Sequence, residues 1–228
     1  MSKRFTKRNG SPVQAPSASP QSFHAFRTAL YASCFGDKRR TRLTLLFALL
    51  ILLGIAAGTY QYRILKLNHR RAYVHYQQAN DLFHQGKADA AAAEYQSALL
   101  LDPLFAEAHN NYGIVLFQKG EIDEAIDEYQ KALQIHSNYT EAHNNLGVLL
   151  SKEKRWDEAI KQYRQTLDLD PDYVGARNNL AVALFNNGQT DEAVAQLEEA
   201  VRRNPTNVDA QKNLARVKAI LQSAPASK

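Results

Sequence analysis

The chain has 228 residues, a formal net charge of +5 and one cysteine, Cys34, which excludes a disulfide framework or a cysteine-based metal site and leaves room for one or two ordinary domains. Residues 1–71 hold 13 Lys and Arg against a single acid, Asp37, while residues 72–228 hold 15 against 22, so the two parts carry +12 and −7. Basic charge confined to one end, flanking an apolar run, suits a membrane surface and argues against a nucleic-acid partner.

Residues 1–42 form a basic tail. Pro12, Pro16 and Pro20 stand among Ser, Ala and Gln, and residues 1–21 read as disordered. Residues 22–36, with Phe23, Phe26 and Leu30 on one side, read either as a basic amphipathic helix on a membrane surface or as a plain tether. Cys34 has no apolar run before it, so it reads as a thiol and not as a lipidation site.

The stretch Leu43 to Tyr60 carries no charge over 18 residues. As a helix it spans roughly 27 Å, close to the ~30 Å hydrocarbon core of a bilayer. Lys38, Arg39, Arg40 and Arg42 bound one end, and Tyr60, Tyr62, Arg63 and Lys66 bound the other, an interfacial arrangement. We therefore expect a transmembrane helix over 43–62, as an uncleaved signal anchor: the long region before it excludes an ordinary signal peptide. The nearby basic flanks almost tie. Lys3, Arg4, Lys7 and Arg8 tip the N-terminus to the cytoplasm, placing the C-terminal domain outside it, in the periplasm if the cell is Gram-negative. No Pro or Gly lies between Thr59 and Gln85, so residues 63–71 are expected to continue as a helical stalk.

From Ala72 onward the chain repeats itself every 34 residues, with units at 72–105, 106–139, 140–173 and 174–207. A small residue recurs at the eighth position (Ala79, Gly113, Gly147, Ala181) and leucine at the eleventh (Leu82, Leu116, Leu150, Leu184). Alanine recurs at the twentieth (Ala91, Ala125, Ala159, Ala193) and an aromatic or leucine at the twenty-fourth (Tyr95, Tyr129, Tyr163, Leu197). Pro103, Pro171 and Pro205 close three units, with Ser137 in the other. The third unit also has Lys154 for the turn glycine and Thr166 for the packing alanine. Each unit thus has two helical stretches split by a polar turn, with Asp89, Asp123, Asp157 and Asp191 expected as N-caps. One such unit cannot bury its apolar face alone, whereas stacked units can. Residues 208–222 repeat only the first helix: Ala210, Leu214, Val217 and Leu221 are expected to face back, and Gln211, Lys212, Arg216 and Lys218 to face solvent as a cap. Residues 223–228 read as a disordered tail.

This pattern resembles the tetratricopeptide repeat (TPR) family. The resemblance covers about two thirds of the chain and implies an all-α protein: a right-handed α-solenoid of four helix-turn-helix units with a cap helix. It also implies a concave groove, lined by the first helix of each unit, in which extended peptides bind.

On a helical wheel, positions three, seven, ten, eleven and fourteen of that first helix cluster as core, for example Ala108, Tyr112, Val115 and Leu116. The opposite side holds Asn110, Asn144 and Asn178 at the fifth position, with Asn111, Asn145 and Asn179 beside them at the sixth. It also carries Ile114, Val148 and Val182 at the ninth position and Phe83, Phe117 and Phe185 at the twelfth. Apolar residues on a face that is not core mark a binding surface. The amides suit a peptide backbone of any sequence, and bonding between neighbouring helices is the competing role for them. Tyr76 and Asn80 extend the surface into the first unit. Some relatives clamp a C-terminal carboxylate with Lys, Asn and Arg. Here Tyr76, Asn80, Asn111, Glu141 and Asn145 stand at those places, and Glu141 would repel a carboxylate, so an internal extended segment is the expected ligand.

His75, His109 and His143 recur at one position, but equivalent residues on stacked helices lie roughly 10 Å apart, too far to share a metal held at about 2 Å. No catalytic constellation, cofactor motif or metal site is expected. The sequence therefore reads as a single-pass, non-catalytic scaffold holding a protein or peptide partner near a membrane. The alternatives are an accessory subunit that positions substrate for a separate membrane enzyme, and a self-assembling scaffold in which copies of the chain bind one another.

Overall fold

The computed structural model describes residues 38–223, all of whose regular elements are helices. The expectations for residues 1–37, including the helix at 22–36 and Cys34, and for residues 224–228 lie outside the described residues.

Helix α1 runs unbroken from Lys38 to His84. The chain divides into two compact units between Tyr62 and Arg63. In the first, α1 exposes its apolar side chains: Leu43, Phe47, Leu50 and Ile55 are 58–68% exposed. Among the described residues α1 is the one helix long and apolar enough to cross a membrane.

The second unit contains the rest of α1 and eight more helices: α2 (Ala88–Leu101), α3 (Ala106–Lys119), α4 (Ile122–Ile135), α5 (Thr140–Lys152), α6 (Trp156–Leu169), α7 (Val174–Asn186), α8 (Thr190–Arg203) and α9 (Val208–Ser223). Each packs on its neighbour in sequence, and α3, α5, α7 and α9 also meet in succession. This is the solenoid of paired helices that the 34-residue period implies, closed by α9.

The core follows the repeat. Tyr95, Tyr129, Tyr163 and Leu197 are buried, each against a residue of the preceding helix small enough to admit it. The fit is tightest at the glycines: a Cβ on Gly113 or Gly147 would lie 2.8 Å from Cε1 of Tyr129 or Tyr163. Ala125, Ala159 and Ala193 are fully buried in a cluster that runs through units two to four. Burying each large apolar side chain contributes roughly 1.5–3 kcal/mol, so the stack is held by accumulation.

The turn inside each unit is a left-handed helix terminus. Gly86, Gly120 and Gly188 have φ of 75°, 83° and 82°, and Lys154 takes the same conformation at 58°. The following residue then bonds back to the eleventh-position carbonyl: Lys87 N to Leu82 O at 3.0 Å, Glu121 N to Leu116 O at 2.9 Å, Arg155 N to Leu150 O at 2.9 Å and Gln189 N to Leu184 O at 2.9 Å.

Two expectations are corrected. The residue making the bond is already the N-cap of the next helix, with no side-chain cap, so Asp89, Asp123, Asp157 and Asp191 fall inside the first turn. There they face the positive end of the helix dipole without capping it. Leu221, expected to face back, is 45% exposed. Leu221 stands at the fourteenth position, expected as core, and that position is exposed in earlier units as well, at Gln85, Lys119 and Glu153.

Candidate ligand-binding face

The last part of α1 and helices α3, α5, α7 and α9 carry the fifth, sixth, ninth and twelfth positions of their units. The sixth-position amide of one unit donates to the fifth position of the unit before. Asn145 Nδ2 meets Asn110 Oδ1 at 3.0 Å, and Asn213 Nδ2 meets Asn178 Oδ1 at 2.9 Å. In the first seam Asn111 Nδ2 reaches both the Tyr76 hydroxyl and Asn80 Oδ1 at 3.1 Å. Asn80 Oδ1 also accepts from the Tyr95 hydroxyl at 2.5 Å. Asn110, expected to face an open groove, is 3% exposed, and its own Nδ2 donates to Asn111 Oδ1 at 3.0 Å. Helices packed roughly 10 Å apart bring two short amides into contact across each seam, so these amides bond to one another first.

One rung is missing. No bond joins Asn179 to Asn144, and Asn144 Oδ1 is buried without a partner. Asn179 instead lines a depression of about 240 Å³ together with Val148, Ser151, Lys152, Trp156, Tyr163 and Val182.

Phe83 packs half-buried on the first unit's core, and Ile114, Phe117, Val148 and Phe185 pack half-buried on the main core. Val182 is 37% exposed. The twelfth-position column reads Phe83, Phe117, Ser151, Phe185, and the depression opens where the serine interrupts it. The Ser151 hydroxyl lies 3.2 Å from the Tyr163 hydroxyl. Burial pushes Tyr163 up to about 12, against a smaller opposing effect of that bond, so it is a neutral phenol at ordinary pH. Lys152 Nζ stands 4.5 Å over the Phe117 ring.

Ser151, Lys152, Trp156 and Tyr163 were not among the residues the sequence picked out for this face. Two signals were there to be read: a lone Ser in a column otherwise of Phe, and the chain's one tryptophan in the same unit's turn.

The fourth-position residues hold the outer helices. His75 Nδ1 meets Glu94 Oε2 at 2.6 Å, His109 Nδ1 meets Glu128 Oε2 at 2.5 Å and His143 Nδ1 meets Gln162 Oε1 at 2.7 Å. Arg177 takes the same place, with Nη1 donating to Gln196 Oε1 at 3.0 Å. His109 and His143 also reach the preceding turn, through Nε2 to the carbonyls of Pro103 and Ser137 at 3.1 Å. His109 and His143 are thus held within and between units and His75 within its own, and no cluster able to hold a metal occurs among the described residues.

Family models described as tetratricopeptide repeat match residues 76–140, 116–165 and 150–217. YrrB, described as a TPR protein with an unusual peptide-binding site, is similar over 65% of this chain and 76% of its own, at 28% identity and a TM-score of 0.58. MamA from Desulfovibrio magneticus RS-1 aligns over 66% of this chain and 85% of its own at 18% identity, with a TM-score of 0.63. PilF of Pseudomonas aeruginosa aligns over 68% and 71% at 23% identity, with a TM-score of 0.62. These last two show a shared fold. No curated protein matches the sequence.

Proposed function

Because the chain belongs to the tetratricopeptide repeat family, we propose that it is a membrane-anchored, non-catalytic scaffold that binds an extended, internal segment of a partner protein on its inner face. The observation that carries the proposal is the column Phe83, Ile114, Phe117, Val148, Val182 and Phe185. Its members are half-buried or exposed on a face that the stacking of the solenoid leaves open. A merely solvated face has no need of three phenylalanines at one repeat position. The peptide-binding site ascribed to YrrB lends the reading support.

In this reading the two sets of residues divide the work. The apolar column contacts ligand side chains. The Asn110–Asn145 and Asn178–Asn213 rungs hold neighbouring helices at the spacing that shapes the face. Asn179, on the rung not made, lines the depression and is left for the ligand backbone. The apolar stretch of α1 crosses the membrane, with the basic tail in the cytoplasm and the solenoid outside it. Residues 63–71, helical throughout, act as a stiff stalk.

A photoactivatable aromatic amino acid at Phe117 or Phe185, in cells that make the protein naturally, tests the binding face. The expected result is cross-linking of a discrete partner from these positions and none from Gln130 or Gln165 on α4 and α6. Cross-links from the outer positions alone would overturn the assignment. External protease that spares the solenoid in intact spheroplasts would reverse the topology.

A further inference from the structure

We propose that the depression at Ser151 is a specificity pocket for one aromatic side chain of the bound segment, with an acidic residue next to it in the ligand. The inference rests on the groove-binding reading above and adds what the ligand must contain.

Three observations converge. The first is the cavity: with Ser151 where the other units have Phe83, Phe117 and Phe185, a ring is missing from the column, and about 240 Å³ stands open in its place. That space suits one aromatic group. Its walls are the Trp156 ring and the aliphatic Val148 and Val182, which favour a flat ring in offset or edge contact. The second is the missing rung. Asn145 and Asn213 give their Nδ2 to the preceding unit. Asn179 does not: it lines the pocket and makes no hydrogen bond to Asn144, whose Oδ1 is buried without a partner among the described residues. The Asn179 amide is thus placed to hold a peptide carbonyl beside the inserted ring. The third is charge. Lys152 lines the pocket, is exposed, rests on the Phe117 ring and forms no ion pair among the described residues. By contrast, Lys119 and Arg155, at the turns of the second and third units, are paired with Asp89 and Glu121 and with Glu158. An unpaired cation at the mouth of an aromatic pocket selects a carboxylate adjacent to the ring.

The test uses the full chain in detergent micelles and a displayed library of random decapeptides lacking tryptophan. Trp156 is the only tryptophan, so its emission reports occupancy of the pocket directly. We expect selected peptides to share an aromatic–acidic pair and to shift Trp156 emission on binding. Replacing their aromatic residue by Ala should weaken binding at least 10-fold. Ser151→Phe, which restores the residue found in the other units, should fill the pocket and weaken the same peptides by about 30-fold while circular dichroism stays unchanged. Lys152→Glu, on an exposed side chain, should reverse the preference from aromatic–acidic to aromatic–basic peptides. If selected peptides lack an aromatic, or bind Ser151→Phe as well as wild type, the pocket proposal fails while groove binding stands. If no peptide is selected, or binding is indifferent to Phe117→Ala and Phe185→Ala as well, both readings fail.

Discussion

Lys154 provides the sharpest test of how the repeat is built. It holds φ at 58° where the other three units place glycines at 75° to 83°. A side chain in that region costs about 1–2 kcal/mol, because Cβ crowds the following carbonyl. Replacing Lys154 by Gly removes that cost, but adds about 0.5–1 kcal/mol of extra backbone entropy lost on folding. No contact is forfeited, since the Lys154 side chain is exposed and enters no hydrogen bond or ion pair among the described residues. At the middle of both ranges the net gain is about 0.5–1 kcal/mol, which in a solenoid of this size raises Tm by about 1–4 °C. Because repeat units are coupled chiefly to their neighbours, the gain should concentrate in α5 and α6. Amide exchange there should slow by about 2- to 5-fold, with little change in α2 or α8. Lys154→Ala is the control: it keeps the Cβ and the strain, so it should gain nothing. Equal stabilisation by Gly and Ala would refute this, showing that the side chain, and not the backbone conformation, was at fault.

Gly147→Ala should cost about 1–3 kcal/mol in thermal unfolding, because its Cβ would meet Tyr163 at 2.8 Å; adding Tyr163→Leu, the combination the fourth unit uses with Ala181 and Leu197, should recover most of it. Asn145→Ala should destabilise by about 1–2 kcal/mol, since it orphans Asn110 Oδ1 on a residue only 3% exposed. Asn179→Ala, where the rung is not made, should be near neutral, and equal effects in the same melts would disprove the seam role. Burial acts to raise the Glu128 carboxyl, but hydrogen bonds from His109 and Lys131 outweigh it and hold it below its ordinary 4.5. Its contribution is therefore complete above about pH 4.5 and lost as pH falls through the lowered value, so Glu128→Gln should flatten the acid limb of a stability–pH profile. An acid limb unchanged in the variant would show that the pair does not contribute.

The repeat was legible because it rests on packing alone. A buried tyrosine requires a small residue opposite, and a left-handed turn requires glycine or a strained substitute, so Gly113, Tyr129 and Gly120 announce their places one period at a time. The inner face was legible only as a face. A helical wheel puts Asn110 away from its own helix's core, and that much is correct, but it contains no second helix. The burial of Asn110 comes from the next unit, whose Asn145 closes over it. The N-cap expectation failed for a related reason. Aspartate at the start of a helix is a sound local signal, yet the turn's own closure through Glu121 N starts the helix earlier and moves Asp123 into the first turn.

The pocket was hidden in what looked like noise. The repeat is broken at Ser137 in the second unit and at Ser151, Lys154 and Thr166 in the third. Two of these are accounted for locally: the Ser137 carbonyl serves His143, and Thr166, fully buried, satisfies its hydroxyl on the Gln162 carbonyl at 3.1 Å. The other two gather at one turn. Ser151 opens the aromatic column, and Lys154 accepts a strained backbone three residues on, between the unpaired Lys152 and Trp156. A repeat protein gains nothing in stability from either, since the neighbouring units show the cheaper solution at both positions. When departures from a local rule meet at one place, and that place also has an unfilled cavity and an unmade hydrogen bond, they point to a demand from outside the fold. The stack itself does not need Ser151 or an open Asn179. A ligand that inserts a ring there does.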